Sequence, residues 1–142
     1  QFTQTEQIVL CREEDSWKYF EEMIKNIEQI WQKLEIPHRV IEICSGDLST
    51  RDAKSYDVEV WMPSQKKYRE IGSCSNVTDW QSRRLDIKYE EKAGRKYVHT
   101  LNATGVPNTR SLIAIIENNL NDSGTIAVPD ALVPYMGKSR IG

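Results

Sequence analysis

Between Ser16 and Leu34 the apolar side chains Trp17, Phe20, Met23, Ile24, Ile27, Ile30, Trp31 and Leu34 recur at steps of three and four, with charged and amide residues between them. That spacing gathers them on one stripe of an α-helix. A helix that is apolar along one stripe needs a second apolar surface to cover it, and the rest of the chain has to provide that surface. Asp15 or Ser16 is available as the N-cap, and Pro37 ends the helix.

The covering surface reads as a sheet. Gln1 to Leu10 favours a strand with one polar face, Arg39 to Cys44 is rich in Val and Ile, and Tyr56 to Met62 alternates cleanly before Pro63 stops it. A turn at Ser45-Gly46-Asp47 and a polar loop from Leu48 to Ser55 lie between the second and third of these. Tyr68 to Ser75 is the expected antiparallel neighbour, and a polar turn is expected through Ser75 and Asn76. A helix then opens at Thr78 or Asp79 and runs to Leu85. Ile87 to Tyr89, a turn from Glu90 to Arg95 and a strand from Lys96 to Asn102 read as a hairpin. Asn108 to Leu120 is a second long helix, followed by a turn at Asn121 to Gly124, a short strand from Thr125 to Val128, a helical turn from Pro129 to Tyr135 and a loose tail. Strands joined by hairpins and loops, with two long helices over one face, describe an α+β fold built on an antiparallel sheet. Parallel βαβ units, internal repeats and low-complexity tracts are not seen.

Composition narrows the function. A net charge of −2 provides no global basic field for nucleic acid, so any RNA contact has to be local. Cys11, Cys44 and Cys74 are far apart, without a Cys-x-x-Cys pair, and only His38 and His99 accompany them. That argues against a zinc site or a disulfide framework and fits a reducing, cytoplasmic setting. No apolar run reaches the ~20 residues that span a bilayer, and the first residues do not read as a secretory signal, so no membrane partner is expected. Neither GxGxxG nor a Walker-type loop occurs, which leaves nucleotide binding to another architecture.

Two segments carry the chemistry. The first, Arg69 to Arg84, packs small, polar and charged residues where a routine strand would alternate: Arg69-Glu70-Ile71-Gly72-Ser73-Cys74-Ser75-Asn76 and on to Thr78-Asp79-Trp80-Gln81. The second runs from Leu101 through Asn102-Ala103-Thr104-Gly105-Val106-Pro107 to Arg110, then an apolar helix ending in Glu117-Asn118-Asn119. Taken singly, these residues have ordinary readings too. Glu70 could be an edge-strand carboxylate paired with Arg69, Arg110 a helix-end surface group, Asn102 a strand-end residue bonding its own turn, and Phe2 a core or frayed terminal residue.

Together the two segments resemble the catalytic domain of seryl-tRNA synthetases, within the class II aminoacyl-tRNA synthetases. The first resembles the strand that carries Glu, a Ser three residues on and then Cys-Ser-Asn; the second resembles motif 3, read as strand, small-residue turn and arginine near a helix start. The resemblance covers the chain from Gln1 to about Gly137 and implies the class II antiparallel fold, in part, with residues 1–142 as the C-terminal portion of the catalytic domain. It implies ATP and Mg²⁺ as ligands, with Glu70 and Ser73 holding the metal that bridges the ATP phosphates and Arg110 clamping the γ-phosphate. Phe2 would stack on adenine, and Glu6, Asn102 and Thr104 would lie about the bound serine. Serine, tRNA(Ser) and, in the full-length enzyme, a second copy in a homodimer are the implied partners, and serine–tRNA ligation is the implied activity.

The resemblance also marks departures. Gln4 stands where the family usually has Lys, removing a positive charge two residues before Glu6. The motif 1 helix, the Thr-x-Glu loop, the motif 2 arginine and the tRNA-gripping helical arm all precede residue 1 in the family pattern, so the chain alone is expected to be inactive. Two other readings remain open at this point: a non-catalytic, synthetase-like paralogue or fragment serving as a binding or assembly module, and an aminoacyl transferase acting on a carrier protein.

Overall fold

A computed structural model describes residues 1–142. Strand β1 (Gln4–Cys11) leads through a short 3-10 turn into helix α1 (Ser16–Lys33), followed by β2 (His38–Glu42), β3 (Lys54–Met62) and β4 (Lys67–Thr78). Helix α2 (Trp80–Leu85) precedes a ribbon of β5 (Lys88–Glu91) and β6 (Gly94–Tyr97). Then come β7 (His99–Pro107), helix α3 (Asn108–Asn119), β8 (Ile126–Ala127), the single turn α4 (Val133–Met136) and β9 (Arg140–Ile141), which pairs with β8. The central sheet is five-stranded and antiparallel throughout, in the order β1-β7-β4-β3-β2. The α+β architecture is the expected one, and no helix is long and apolar enough to cross a membrane.

One face of this sheet carries the core. From α1, Phe20, Met23, Ile24, Ile27 and Trp31 pack on Val58, Val60 and Met62 of β3, Ile71 and Cys74 of β4, and Leu101 and Ala103 of β7. Leu34, Ile36 and Ala114 of α3 complete the cluster. The helical stripe is therefore real, except that Trp17 lies half exposed, edge-on to the Phe20 ring. Helix α3 contributes little: Ser111 and Ala114 are its buried residues, while Leu112, Ile113 and Ile116 remain exposed. Neither Asp15 nor Ser16 caps α1 through its side chain; the Ser16 hydroxyl donates back to the Glu13 carbonyl at 3.1 Å and meets His99 Nδ1 at 3.1 Å.

Several expected turns are strand. Ser75 and Asn76 lie within β4, buried, because β4 pairs on both sides: Ser75 faces Ser55 of β3 and Asn102 of β7. A central strand satisfies its backbone groups with neighbours, which removes the reason for polar residues to form a turn. The small-residue turn before Arg110 is likewise absent, since β7 continues through Thr104 and Gly105 to Pro107 and α3 starts at the next residue. The single strand expected from Lys96 to Asn102 is two, broken at Val98, with β6 in the ribbon and β7 in the main sheet. The ribbon's turn is confined to Lys92 and Ala93, β3 begins earlier, at Lys54, and the tail is pinned by β9 rather than loose.

Candidate active site

The opposite face of the sheet is open, and three β-bulges decide what points there. At the β3–β4 pairing Val58 faces Gly72 and Glu59 faces Glu70, leaving Ile71 as the extra residue. In a regular strand Glu70 and Ser73, three apart, would point to opposite faces. The bulge resets the alternation. Ile71 and Cys74 consequently both enter the core, while Glu70 and Ser73 both reach the open face and line one cavity with Asp57. Two further irregularities, with Val77 extra in β4 and Gly105 extra in β7, adjust the neighbouring registers.

The close spacing at this bulge depends on Gly72. A Cβ at Gly72 would collide with the backbone carbonyl of Thr104 on β7. Only glycine lets β4 approach β7 here, a use of its missing side chain rather than of an unusual φ.

Of the cavities that Glu70 lines, two hold the other candidate residues except Glu6. One, of about 540 Å³, runs from Glu70 past Ser73 and Asn102 to Ser75 and Asp52. The other, of about 210 Å³, lies between Glu70, Gly72, Thr104, Gln4, Phe2 and Arg110. Phe2 is 58% exposed and offers a free ring face. It is held beside α3 because Thr3 and Asn108 exchange hydrogen bonds, Thr3 N–H to Asn108 Oδ1 at 3.2 Å and Asn108 N–H to the Thr3 carbonyl at 2.9 Å. Glu6 Oε1 accepts from Thr104 Oγ1 at 2.9 Å and from Gln4 Nε2 at 2.5 Å.

Arg110 sits in the first turn of α3, and its Nη1 donates to the Glu70 carbonyl at 2.6 Å and lies 3.8 Å from Glu70 Oε2. Both side chains are about half exposed, so solvent weakens the ion pair and leaves each free to turn to a ligand. Arg69 bonds Gln65 instead of Glu70, at 2.6 Å. All seven residues singled out in the sequence, Phe2, Glu6, Glu70, Ser73, Asn102, Thr104 and Arg110, thus stand on or beside the open face.

Glu70 and Ser73 are hard oxygen donors, the kind Mg²⁺ prefers. No three acidic, histidine or cysteine side chains are close enough to hold a metal by themselves. That donor set fits an ion whose remaining ligands are phosphates and water, as is usual for Mg²⁺ on a nucleotide.

Sequence reasoning did not single out Asp57 and Asp52, which also line the larger cavity. Asp57 faces Ser73 across β3–β4, and burial, followed by the charges of Glu70 and Glu59, pushes its carboxyl up from 3.8 to about 6. Strand alternation was the available signal, since Asp57 and Glu59 interrupt the core positions Val58 and Val60. Because the folded acid is weaker than the unfolded one, ionising it costs stability as pH rises from about 4 to about 6, and nothing below. Asp57→Asn should therefore raise the thermal unfolding midpoint of the metal-free protein at pH 8 and leave it nearly unchanged at pH 4. With partial solvent screening the gain is about 1–2 kcal/mol. Equal midpoints at pH 8 would show that Asp57 is not strained by its neighbours.

Residues 1–119 match the tRNA synthetase class II core domain (G, H, P, S and T). The chain belongs to that family. Among class II relatives, it is 51% identical to the serine–tRNA ligase of Thermoplasma volcanium over 137 residues, 96% of this chain and 31% of that protein. It is 50% identical to the serine–tRNA ligase of Archaeoglobus fulgidus over 139 residues, again 96% and 31%. The class II fold superposes on seryl-tRNA synthetase from Pyrococcus horikoshii, solved with ATP, with a TM-score of 0.95 and 47% identity, covering 99% of this chain and 32% of that one. The cytoplasmic serine–tRNA ligase of Naegleria fowleri, solved with AMP, gives 0.92 and 42%, covering 99% and 34%. The chain thus spans about a third of the length of these relatives.

Proposed function

We propose that this chain provides the C-terminal part of the catalytic domain of a serine–tRNA ligase, which activates serine with ATP as seryl-adenylate and transfers it to tRNA(Ser). One observation carries the reading: a chain about half identical to serine–tRNA ligases along its whole length brings the metal, phosphate, adenine and serine candidates to one open sheet face. Activation joins the serine carboxylate to the α-phosphorus of ATP and releases pyrophosphate. Residues here serve three parts of that step. Phe2 stacks on adenine, and Arg110 forks onto the distal phosphate, helped by the amides that open α3. Glu70 and Ser73 would hold Mg²⁺. The bound ion supplies neutralisation of charge on the departing pyrophosphate. Glu6 and Thr104, already bonded to each other, and Asn102 offer the polar contacts that reward a small hydroxylated amino acid.

The groups that hold the α-phosphate and the serine ammonium would come from the part of the relatives' length that this chain does not span. A homodimer, a cytoplasmic setting and tRNA(Ser) recognition belong to the same reading of the full-length protein. The test is serine-dependent ATP–pyrophosphate exchange by that protein in the presence of Mg²⁺, followed by charging of tRNA(Ser). Absence of exchange, with folded protein and saturating substrates, would favour a non-catalytic module.

Arg110→Lys is expected to raise the KM for ATP and leave that for serine within about twofold, although charge is kept. A single ammonium cannot copy the planar fork of donors. The loss should be about 1.5–3 kcal/mol, the scale of a hydrogen bond to a charged group. A change confined to serine would put Arg110 at the wrong end of the site.

A further inference from the structure

Helix α3 has a small apolar hold on the sheet: Ala114 enters the core and Ile115 packs against it. Its other fixings are polar and lie at its two ends. In the first turn Arg110 Nη1 reaches the Glu70 carbonyl. In the last turn Glu117 accepts twice from the 3-10 turn Pro63–Gln65 that joins β3 to β4, with Ser64 Oγ donating to its Oε1 at 2.8 Å and Ser64 N–H to its Oε2 at 3.0 Å. Beside it Asn118 uses both amide hydrogens, Nδ2 donating to the Trp61 carbonyl of β3 at 2.9 Å and to the Ala114 carbonyl of its own helix at 2.8 Å.

These contacts share one side of the helix. Arg110, Ala114 and Asn118 follow at steps of four, and Glu117 lies two turns from Arg110, about 10.5 Å along the axis. Between α3 and the β3–β4 hairpin is a cavity of about 330 Å³, lined by Met62, Gln65, Arg69, Glu70, Arg110 and Ile113. Around it the bonds close a ring: Glu117 to Ser64, the adjacent Gln65 to Arg69 at 2.6 Å, and the adjacent Glu70 to Arg110. A helix that stands over a cavity is not located there by close packing. Its register against β4 is left to the bonds at its ends.

We propose that Glu117 is a positioning residue for Arg110. By fixing the far end of α3 on the β3–β4 hairpin it sets where the guanidinium stands against Glu70, and so how it meets the distal phosphate of ATP. The inference rests on the synthetase reading above, which puts Arg110 on that phosphate. With the far end released the helix tilts over the cavity, and Arg110 leaves the geometry that a two-pronged phosphate contact needs. The serine candidates Glu6, Asn102 and Thr104 stand on β1 and β7 and keep their places.

The test uses the full-length protein, with KM values for ATP and serine from ATP–pyrophosphate exchange and the Kd for ATP from calorimetry. Glu117→Ala should raise both ATP constants about fivefold, the effect of weakening one hydrogen bond to a charged group, and leave the serine KM within about twofold. Glu117→Gln, which keeps the shape and one acceptor oxygen, should recover most of the loss. In an Arg110→Ala background Glu117→Ala should have no further effect on ATP, because a residue that acts through Arg110 then has nothing to act on. Ser64→Ala removes one of the two donors from an exposed turn; it should raise the ATP constants about twofold and supplies the answer if Glu117→Ala folds poorly. Unchanged ATP constants in Glu117→Ala and Ser64→Ala overturn the proposal. So does an equal loss for ATP and serine, or an undiminished loss in the Arg110→Ala background, either of which would make Glu117 a support of the fold alone. ATP binding that follows the expected pattern without any serine-dependent exchange would instead overturn the synthetase reading and leave the positioning role standing.

Discussion

Replacing Glu70 by alanine in the full-length protein should lower serine-dependent ATP–pyrophosphate exchange by about a hundredfold or more, with little effect on folding. The magnitude is that of removing one preorganised group that stabilises charge as it develops in the transition state. The small effect on folding follows from exposure. Glu70 is half solvated, its contact with Arg110 is 3.8 Å long, and Arg110 keeps its stronger bond to the Glu70 backbone carbonyl, which the substitution does not touch. Exchange measured across a range of Mg²⁺ concentrations, beside a thermal melt, separates the two effects. Near-normal exchange at saturating Mg²⁺ would sink the assignment of Glu70 as a metal ligand, and a melt lowered as steeply as the rate would make the carboxylate structural.

Gly72→Ala should cost both stability and activity, although the added group is a single methyl on a residue with no proposed contact to substrate. The new Cβ meets the Thr104 carbonyl, which belongs to the sheet backbone and cannot rotate away. Either β4 and β7 separate or the strand twists, at about 1–3 kcal/mol for an overpacked interior position. Glu70, Ser73 and Thr104 flank the collision, so displacement there should reduce exchange by at least about tenfold. The same melt and exchange assays apply. Full activity and an unchanged midpoint would mean that the strands give way freely, and the tight approach would then have no bearing on the site.

Much of this was legible in the sequence, for identifiable reasons. The α1 stripe and the alternation in β3 are periodic signals, and both elements formed where the periods placed them. Five of the seven candidate residues were singled out in two chemically odd segments, Phe2 and Glu6 came from the resemblance alone, and all seven stand on or beside the open face. What failed was the reading of small polar residues as turns. Ser75, Asn76, Thr104 and Gly105 have turn-like composition, but they lie inside β4 and β7, two interior strands of the sheet that run on through them. Asp52 and Asp57 were not singled out because a lone aspartate in a polar loop or on an alternating strand is ordinary until its burial is known. The bulge at Ile71 was equally hidden, since nothing in local composition reports how two strands count against each other.

That bulge sets what kinds of change the site can absorb. Up to Glu70 the strand counts one way, and from Gly72 onward it counts the other; the two halves are kept in step by one residue that has no partner. Exchanging Ile71 for another apolar side chain alters a contact in the core. Deleting it would leave Glu70 and Ser73 two apart, a spacing that holds both on the open face without a bulge, and would take the Ile71 side chain out of the core. A one-residue gap at Ile71 would therefore fall on the packing of the core, while the facing of Glu70 and Ser73, which the pairing on either side of the bulge already agrees on, would survive it.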